Sequence, residues 1–379
     1  YQADTELGSL TANRGIAGGG VLLQESRVRL NTETNNYGVF LSDSLSVTDK
    51  LTVTASGRYN ITHLELKDGF PGEDPDENLT GYHSFNRINP AAGLTYAFMP
   101  ELTFYGNYSE SSRVPTPMEL SCADRNNPCK LPNAFVADPP LAQVVANTWE
   151  AGFRGDLKQV PAGRIHWNAG FFHVINNNDI LWQGNGAVNG MGYFENVGKT
   201  QRQGAEAGLA GVFFDDRWRW SANYSYIDAT YQSAFGSPNG AHPDAVDGVT
   251  QVRPGNQIPG IPAHQAKFST DVDILRDWTL GFDMTYNGSQ YLRGDEANLT
   301  AKIPAFVIFN LRSEYRFNEH VALFGRVNNL FDRDYVNFGA WSNTGEVLDG
   351  LDPALNDINS RFVGVGAPRA AWIGIRLTM

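Results

Sequence analysis

The chain has 379 residues, a formal net charge of −12, 41% hydrophobic, 12% aromatic and only 18% charged residues. That acidic balance excludes a duplex nucleic-acid binder, which needs a basic face, and 39 glycines without any long Ala/Glu/Lys-rich stretch exclude a coiled coil or helical solenoid. No run of 18 apolar residues occurs, so no transmembrane helix is expected; bilayer-crossing strands leave no such run, because only alternate residues face lipid.

In chain order, Tyr1-Gln2-Ala3-Asp4 is neither an initiator methionine nor a signal peptide, so the expectation is a processed chain or a piece of a longer one. Period-2 alternation then dominates. After a weakly alternating stretch near 20–31, strands are expected near 35–47, 50–66, 82–98, 101–111, 144–156, 163–182, 192–214, 217–231, 264–275, 278–292, 304–317, 320–335 and 370–379. In the second of these, Leu51, Val53, Ala55, Tyr59 and Ile61 oppose Thr52, Thr54, Ser56, Arg58 and Asn60. The alternation expects Trp220, Tyr224, Phe282, Phe309 and Leu311 to point outward, and Arg58, Asn223, Asp283, Arg312 and Glu314 inward. Tight polar turns near 48–50, 99–101, 159–163, 215–216, 276–277 and 318–320 alternate with long Gly/Pro/Asn/Asp-rich segments near 68–81, 112–143, 184–190, 232–263, 294–303 and 337–369. In an antiparallel up-and-down sheet, alternate connections share a rim. One rim should carry only tight turns and the other only long loops, the asymmetry of outer-membrane barrels.

Catalytic signatures are absent: no GxSxG elbow, HExxH, P-loop or paired Cys/His zinc spacing is present, and neither an enzyme nor a resident cofactor or metal is expected. The seven histidines (His63, His83, His166, His173, His242, His264, His320) read as scattered, solvated or lumenal side chains. The acidic segments at 73–77 and 349–352 lack the spacing of a calcium loop and read as solvated charge.

Four motifs carry a family resemblance. Val327-Asn328-Asn329-Leu330-Phe331-Asp332-Arg333-Asp334-Tyr335 resembles the penultimate-strand signature of TonB-dependent outer-membrane transporters. Ser109 to Leu120, followed by Trp149-Glu150-Ala151-Gly152, resembles their mid-barrel signature. Asn196 to Glu206, and Tyr37-Gly38-Val39-Phe40 leading to Gly57-Arg58-Tyr59, are the third and fourth matches, in the family's order. The resemblance implies an all-β, antiparallel transmembrane barrel of 22 strands with an N-terminal plug. Residues 1–379 would be the C-terminal thirteen or fourteen strands, with plug and TonB box outside this chain. Met379 departs from the aromatic residue that usually ends the family.

The implied function is active uptake of a scarce solute across the outer membrane of a Gram-negative bacterium, powered by TonB. The cargo would be a ferric siderophore or similar chelate, or a small cofactor such as pyrroloquinoline quinone, since Gly198 to Glu206 with Asp228-Ala229-Thr230-Tyr231 is similar to that uptake subgroup. The implied partners are TonB, the plug of the same polypeptide, outer-membrane lipid and lipopolysaccharide. A passive porin-like channel is the alternative. Residues 111–150 hold no histidine where haem receptors of the family carry one.

Cys122 and Cys129, an isolated pair in one long loop, read as a disulfide in an oxidising compartment. Closing so short a loop removes roughly 2–3 kcal/mol of unfolded-state entropy. Arg113, Arg125, Lys130, Arg202 and Arg253 lie in or near the long-loop rim. Guanidinium groups match carboxylates bidentately, so these cations are candidates for holding an anionic ligand; the alternatives are loop ion pairs and lipopolysaccharide contacts.

Overall fold

The structure, a computed structural model, describes residues 30–69, 79–99, 101–123, 141–184, 191–342 and 360–378, with backbone alone at six short stretches before residue 30 and at 129–130, 159 and 191. Fourteen strands form one antiparallel sheet: β1 (Gln2–Thr5), β2 (Val28–Ser46), β3 (Leu51–Asp68), β4 (Gly81–Met99), β5 (Leu102–Arg113), β6 (Val144–Val160), β7 (Gly163–Asn177), β8 (Thr200–Phe213), β9 (Trp218–Tyr231), β10 (His264–Leu275), β11 (Trp278–Asn287), β12 (Phe306–Arg316), β13 (Val321–Asn328) and β14 (Ala370–Leu377). Sheet order follows chain order throughout, and each strand is antiparallel to the next, so every connection joins sheet neighbours. Among the described residues no pairing joins β1 to β14, so the sheet is a barrel wall with two open edges.

Local chemistry sets the boundaries. The tight turn between β8 and β9 is made by Phe214, Asp215 and Asp216, all at positive φ (56°, 56° and 65°), a region that short acidic side chains tolerate better than branched ones. Four expected strands end early or split, the one expected over 278–292 stopping at Asn287. The one expected over 163–182 stops at Asn177, because Asn178 turns into the left-handed region (φ 56°), and Ile180–Gly184 forms a separate hairpin with Met191–Asn196. The one expected over 192–214 breaks at Gly198, where φ is 90° and a Cβ would lie 2.5 Å from Ser233 Oγ. The one expected over 320–335 stops at Asn328. Asn329 (φ 48°) there folds the chain back, its amide bonding Arg333 N, Arg333 O and Ala367 O.

Tight connections join β2–β3, β4–β5, β6–β7, β8–β9, β10–β11 and β12–β13; long ones join the alternate pairs. The two kinds therefore lie on opposite rims, as the sequence expects. Registers separate the faces equally well. Phe282 lies opposite Leu311, Met284 opposite Phe309 and Trp220 opposite Thr270 on one face; Asp283 opposite Asn310, Gly281 opposite Arg312 and Asn223 opposite Lys267 occupy the other. Towards the long-loop rim the polar face changes character. Thr62, Leu64 and Leu66 continue the parity of Arg58 and are buried, the two leucines in a cluster with Leu30, Leu79, Leu120, Cys122, Leu141, Val144 and Ile180. Loops fold over that face, which makes it the lumen. The opposite face leaves Tyr37, Val39, Leu41, Phe171, Ile373 and Ile375 exposed, as a lipid-facing band requires.

Candidate functional site

The lumen wall is a continuous polar surface. Near β3–β5, Arg58 Nε donates to Asn60 Oδ1 (2.6 Å), Arg87 pairs with Glu110 (2.8 Å) and Asn89 donates to Ser112 (3.1 Å). The β4–β5 ladder ends at Ala91 opposite Ser109; above it Gln143 bonds Asn86 O (3.2 Å). A cavity of about 280 Å³ opens beside these groups. Lower down, towards the tight-turn rim, Arg312 bridges Asp271 (3.0 Å) and Asp283 (3.2 Å), Arg219 grips Asp273 through both terminal nitrogens (2.8 Å each), and Glu314 pairs with Arg376 (2.9 Å). Arg219 reaches the adjacent strand, Arg312 both the adjacent strand and the one beyond it, and Arg376 across β13 to β12, so the charges are cross-linked rather than free.

Above the wall the long loops are tied together. Helix α1 (Pro117–Leu120) begins with a reciprocal cap: Thr116 Oγ1 accepts from Glu119 N while Glu119 accepts from Thr116 N. Arg113, ending β5, donates to the same Glu119 carboxylate (2.7 Å). Across the rim, Thr200 Oγ1 donates to Asp179, and Arg202 bonds Thr200 Oγ1 (3.0 Å) at 3.7 Å from Asp179. The turn from Arg253 to Asn256 docks on the end of β9: Tyr231 N donates to Asn256 O and Gly255 N to Tyr231 O. Further round, His242 and Asp295 are wholly buried, their Nε2 and Oδ1 3.1 Å apart. Asp244 N donates to His242 Nδ1, so Nε2 carries the hydrogen that Asp295 accepts. Asp295 also accepts from Leu299 N, Thr300 N and Thr300 Oγ1. Trp341 Nε1 reaches that threonine (3.2 Å) and Asn239 bonds Gly294 O (3.1 Å). Three long loops thus share one buried polar knot.

The five candidate cations separate into distinct situations. Arg113 is committed to the α1 cap. Arg202 sits on the lumen face with Asp179, beside the Arg253–Asn256 turn through Tyr231. Arg253 is exposed, and among the described residues its guanidinium has no carboxylate partner. Arg125 and the side chain of Lys130 lie outside the described residues, as do the acidic segments 73–77 and 349–352. Cys122 is fully buried and is not a free thiol, whereas Cys129 is described only in backbone, opposite Gly192. One histidine departs from the solvated or lumenal reading: His242 is a keystone of the loop knot, and no spacing signal announces it, because Asp295 is 53 residues away.

The family profile described as TonB dependent receptor-like, beta-barrel, matches residues 2–330. The chain belongs to the TonB-dependent receptor family. Its wall is therefore that of a Gram-negative outer-membrane barrel. Among curated relatives it is 25% identical over 312 residues to a probable TonB-dependent siderophore receptor, PiuA, of Acinetobacter baumannii, covering 82% of this chain and 38% of that protein. The solved structure of PiuA from Acinetobacter baumannii superposes with a TM-score of 0.67 at 20% identity, covering 92% of this chain and 44% of the other. The copper transporter OprC superposes at 0.68 with 15% identity, covering 99% and 52%. These likenesses show the receptor fold. The chain spans about two fifths of the length of the curated relative.

Proposed function

We propose that this wall and its rim belong to an active outer-membrane transporter that captures an anionic chelate and imports it with energy from TonB. A plug within the same polypeptide would fill the lumen, and the 22-strand closure would be completed by strands outside residues 1–379. The observation that carries the reading is the rim itself. Long loops locked by a buried polar knot hold a preformed surface, and Arg253, with no carboxylate partner among the described residues, stands on the turn that docks at Tyr231. Preorganised loops lose less entropy on closing over a ligand. Relatives are named for siderophores, and the open guanidinium of Arg253 suits an anionic ferric siderophore or similar chelate; pyrroloquinoline quinone, a tricarboxylate, presents the same chemistry. The Cys122–Cys129 bridge belongs to the same proposal, as a stiffener of the loop behind α1. The porin alternative needs a closed sheet, and among the described residues β1 and β14 are not paired with each other.

The test uses the full-length protein in a host lacking its own chelate receptors, with candidate ferric chelates as sole iron source. Growth should require both the protein and a functional TonB. Arg253→Ala should raise the half-saturating chelate concentration about tenfold, the loss of one charge-assisted hydrogen bond worth roughly 1.5 kcal/mol. Uptake that persists without TonB would overturn the active reading and leave a passive channel.

A further inference from the structure

Three of the seven histidines occupy the same level of the lipid-facing surface. His63 lies opposite Asn35 and Ser84, His173 opposite Trp149 and Gln203, and His264 opposite Tyr226. In each case the register places the imidazole on the outward parity, the face of Tyr37 and Tyr59, of Phe171, and of Tyr224. The other four lie elsewhere. His83, opposite Leu64, and His166, bonded to Asp156 (2.9 Å), are on the lumen parity; His242 is in the loop knot and His320 in a tight turn.

Their heights agree. His63 is twelve positions from the tight-turn end of β3 at Leu51, His173 is ten from the start of β7 at Gly163, and His264 is eleven from the end of β10 at Leu275. At about 3.3 Å per residue and a tilt near 40°, ten to twelve residues raise a side chain roughly 25–30 Å. The outward apolar band of such barrels is about 25 Å tall. All three imidazoles therefore stand at its upper edge, where hydrocarbon gives way to headgroups.

Their surroundings repeat as well. Tyr82 OH lies 2.7 Å from His63 Nδ1, with the two rings stacked at 5.8 Å. Tyr224 OH lies 2.8 Å from His264 Nδ1, and the Tyr226 ring is 5.0 Å away. With the phenol donating to Nδ1, the hydrogen of the neutral ring resides on Nε2. His173 Nδ1 donates to Gln203 Oε1 (3.3 Å), whose amide in turn donates to Asp228 (3.1 Å). That leaves Nε2 of the neutral His173 ring as an acceptor, suited to a hydroxyl of a lipid headgroup. Among the described residues no protein group bonds any of the three Nε2 atoms. The carboxylate nearest His173 through this chain is already engaged by Gln203, and above His63 Glu65 is paired with Lys67 (3.0 Å). An apolar girdle has no use for a polar nitrogen at three separate hairpins, and a lipid tail offers it nothing to bond.

We propose that His63, His173 and His264 form an outward ring of imidazole nitrogens that binds the phosphorylated headgroups of outer-leaflet glycolipid, His63 and His264 donating to phosphate and His173 accepting from a headgroup hydroxyl, so that the ring fixes the barrel's vertical position and holds a shell of that lipid. The tyrosines orient two of the imidazoles and supply the amphipathic flank.

The experiment uses the full-length protein purified in detergent and two probes: lipid A bearing its phosphates, and the same lipid stripped of them. Bound lipid is counted by native mass spectrometry, with heat-modifiable gel migration as the folding control. Wild type should retain phosphorylated lipid A at least tenfold better than the stripped form. His63→Phe with His173→Phe and His264→Phe keeps the aromatic rings and removes Nε2; this variant should lose most of that discrimination while staying folded. If the triple variant does not assemble, the single His63→Phe and His264→Phe variants are read in the same way, each losing part of the preference. Equal retention of both lipids by wild type, or an unchanged preference in the folded variants, would overturn the proposal. Chelate uptake is not the readout, so the outcome stands apart from the transport reading.

Discussion

Asp295 shows how much a single side chain can organise here. It has no exposure and accepts four hydrogen bonds, from His242 Nε2, Leu299 N, Thr300 N and Thr300 Oγ1. Replacing it by alanine strands those donors in a dry site, at a cost of at least ~3 kcal/mol. Because the knot lies above the sheet, the penalty should fall on the loops. Asp295→Ala is expected to abolish hydrogen-exchange protection at the amides of Asn239, Gly294 and Trp341, while β9–β13 keep theirs. Protection lost equally in both places would mean that the knot and the wall unfold as one unit. The candidate cations teach a related lesson. Arg113 is visible in the sequence as a charge near a loop, but Glu119, which neutralises it, is recruited by the cap of α1. Only Arg253 of the described candidates keeps an unassigned guanidinium, and no spacing rule separates it from the others.

At the scale of the strand, alternation and register do the work. Leu311 faces Phe282 and Val327 on the outward parity. Leu311→Arg should cost roughly 2–4 kcal/mol if it lies near the bilayer midplane, read as slower assembly and a lower urea midpoint in lipid vesicles. Unchanged stability would mean that the facing is wrong by one residue. Glycines shape the inner face. On the lumen side Tyr105, Gly152 and Gly170 are consecutive cross-strand neighbours, and the tyrosine hydroxyl lies 2.6 Å and 2.5 Å from where Cβ atoms on the two glycines would be. The ring lies flat in a slot that the missing side chains create. Gly170→Ala should destabilise by about 1 kcal/mol through overpacking. Tyr105→Phe, which removes the clashing oxygen, should restore most of that loss in the double variant, measured as a non-additive shift of the denaturation midpoint. Additive effects would show that the slot is not shared.

For the whole molecule, the decisive feature is the pair of open edges. β1 and β14 each present unpaired backbone groups, which lipid does not tolerate. Residues 1–379 expressed alone should therefore not give a heat-modifiable monomeric barrel in detergent. A polypeptide that supplies further strands to pair both edges should. A stable monomer from residues 1–379 would mean that the two edges meet and that the barrel closes with fourteen strands.

The sequence by itself determined the strands, the alternation of tight turns and long loops, and the two faces. Each is a local, period-2 property: Trp278, Leu280, Phe282 and Met284 declare their side wherever the strand is placed. It also determined the family through motifs such as Val327 to Tyr335, though that run forms the end of a strand and a turn, because Asn329 adopts positive φ and caps its own loop. Tertiary structure alone decided what meets across long separations: His242 with Asp295, Trp341 with Thr300, and the Arg253 turn with Tyr231. It also aligned His63, His173 and His264, which are more than ninety residues apart in order and level only once three hairpins rise from one rim. Loop–loop contacts have no periodicity, and a side chain's height above a membrane is set by its distance from a turn in space. Neither quantity exists until the strands are in register.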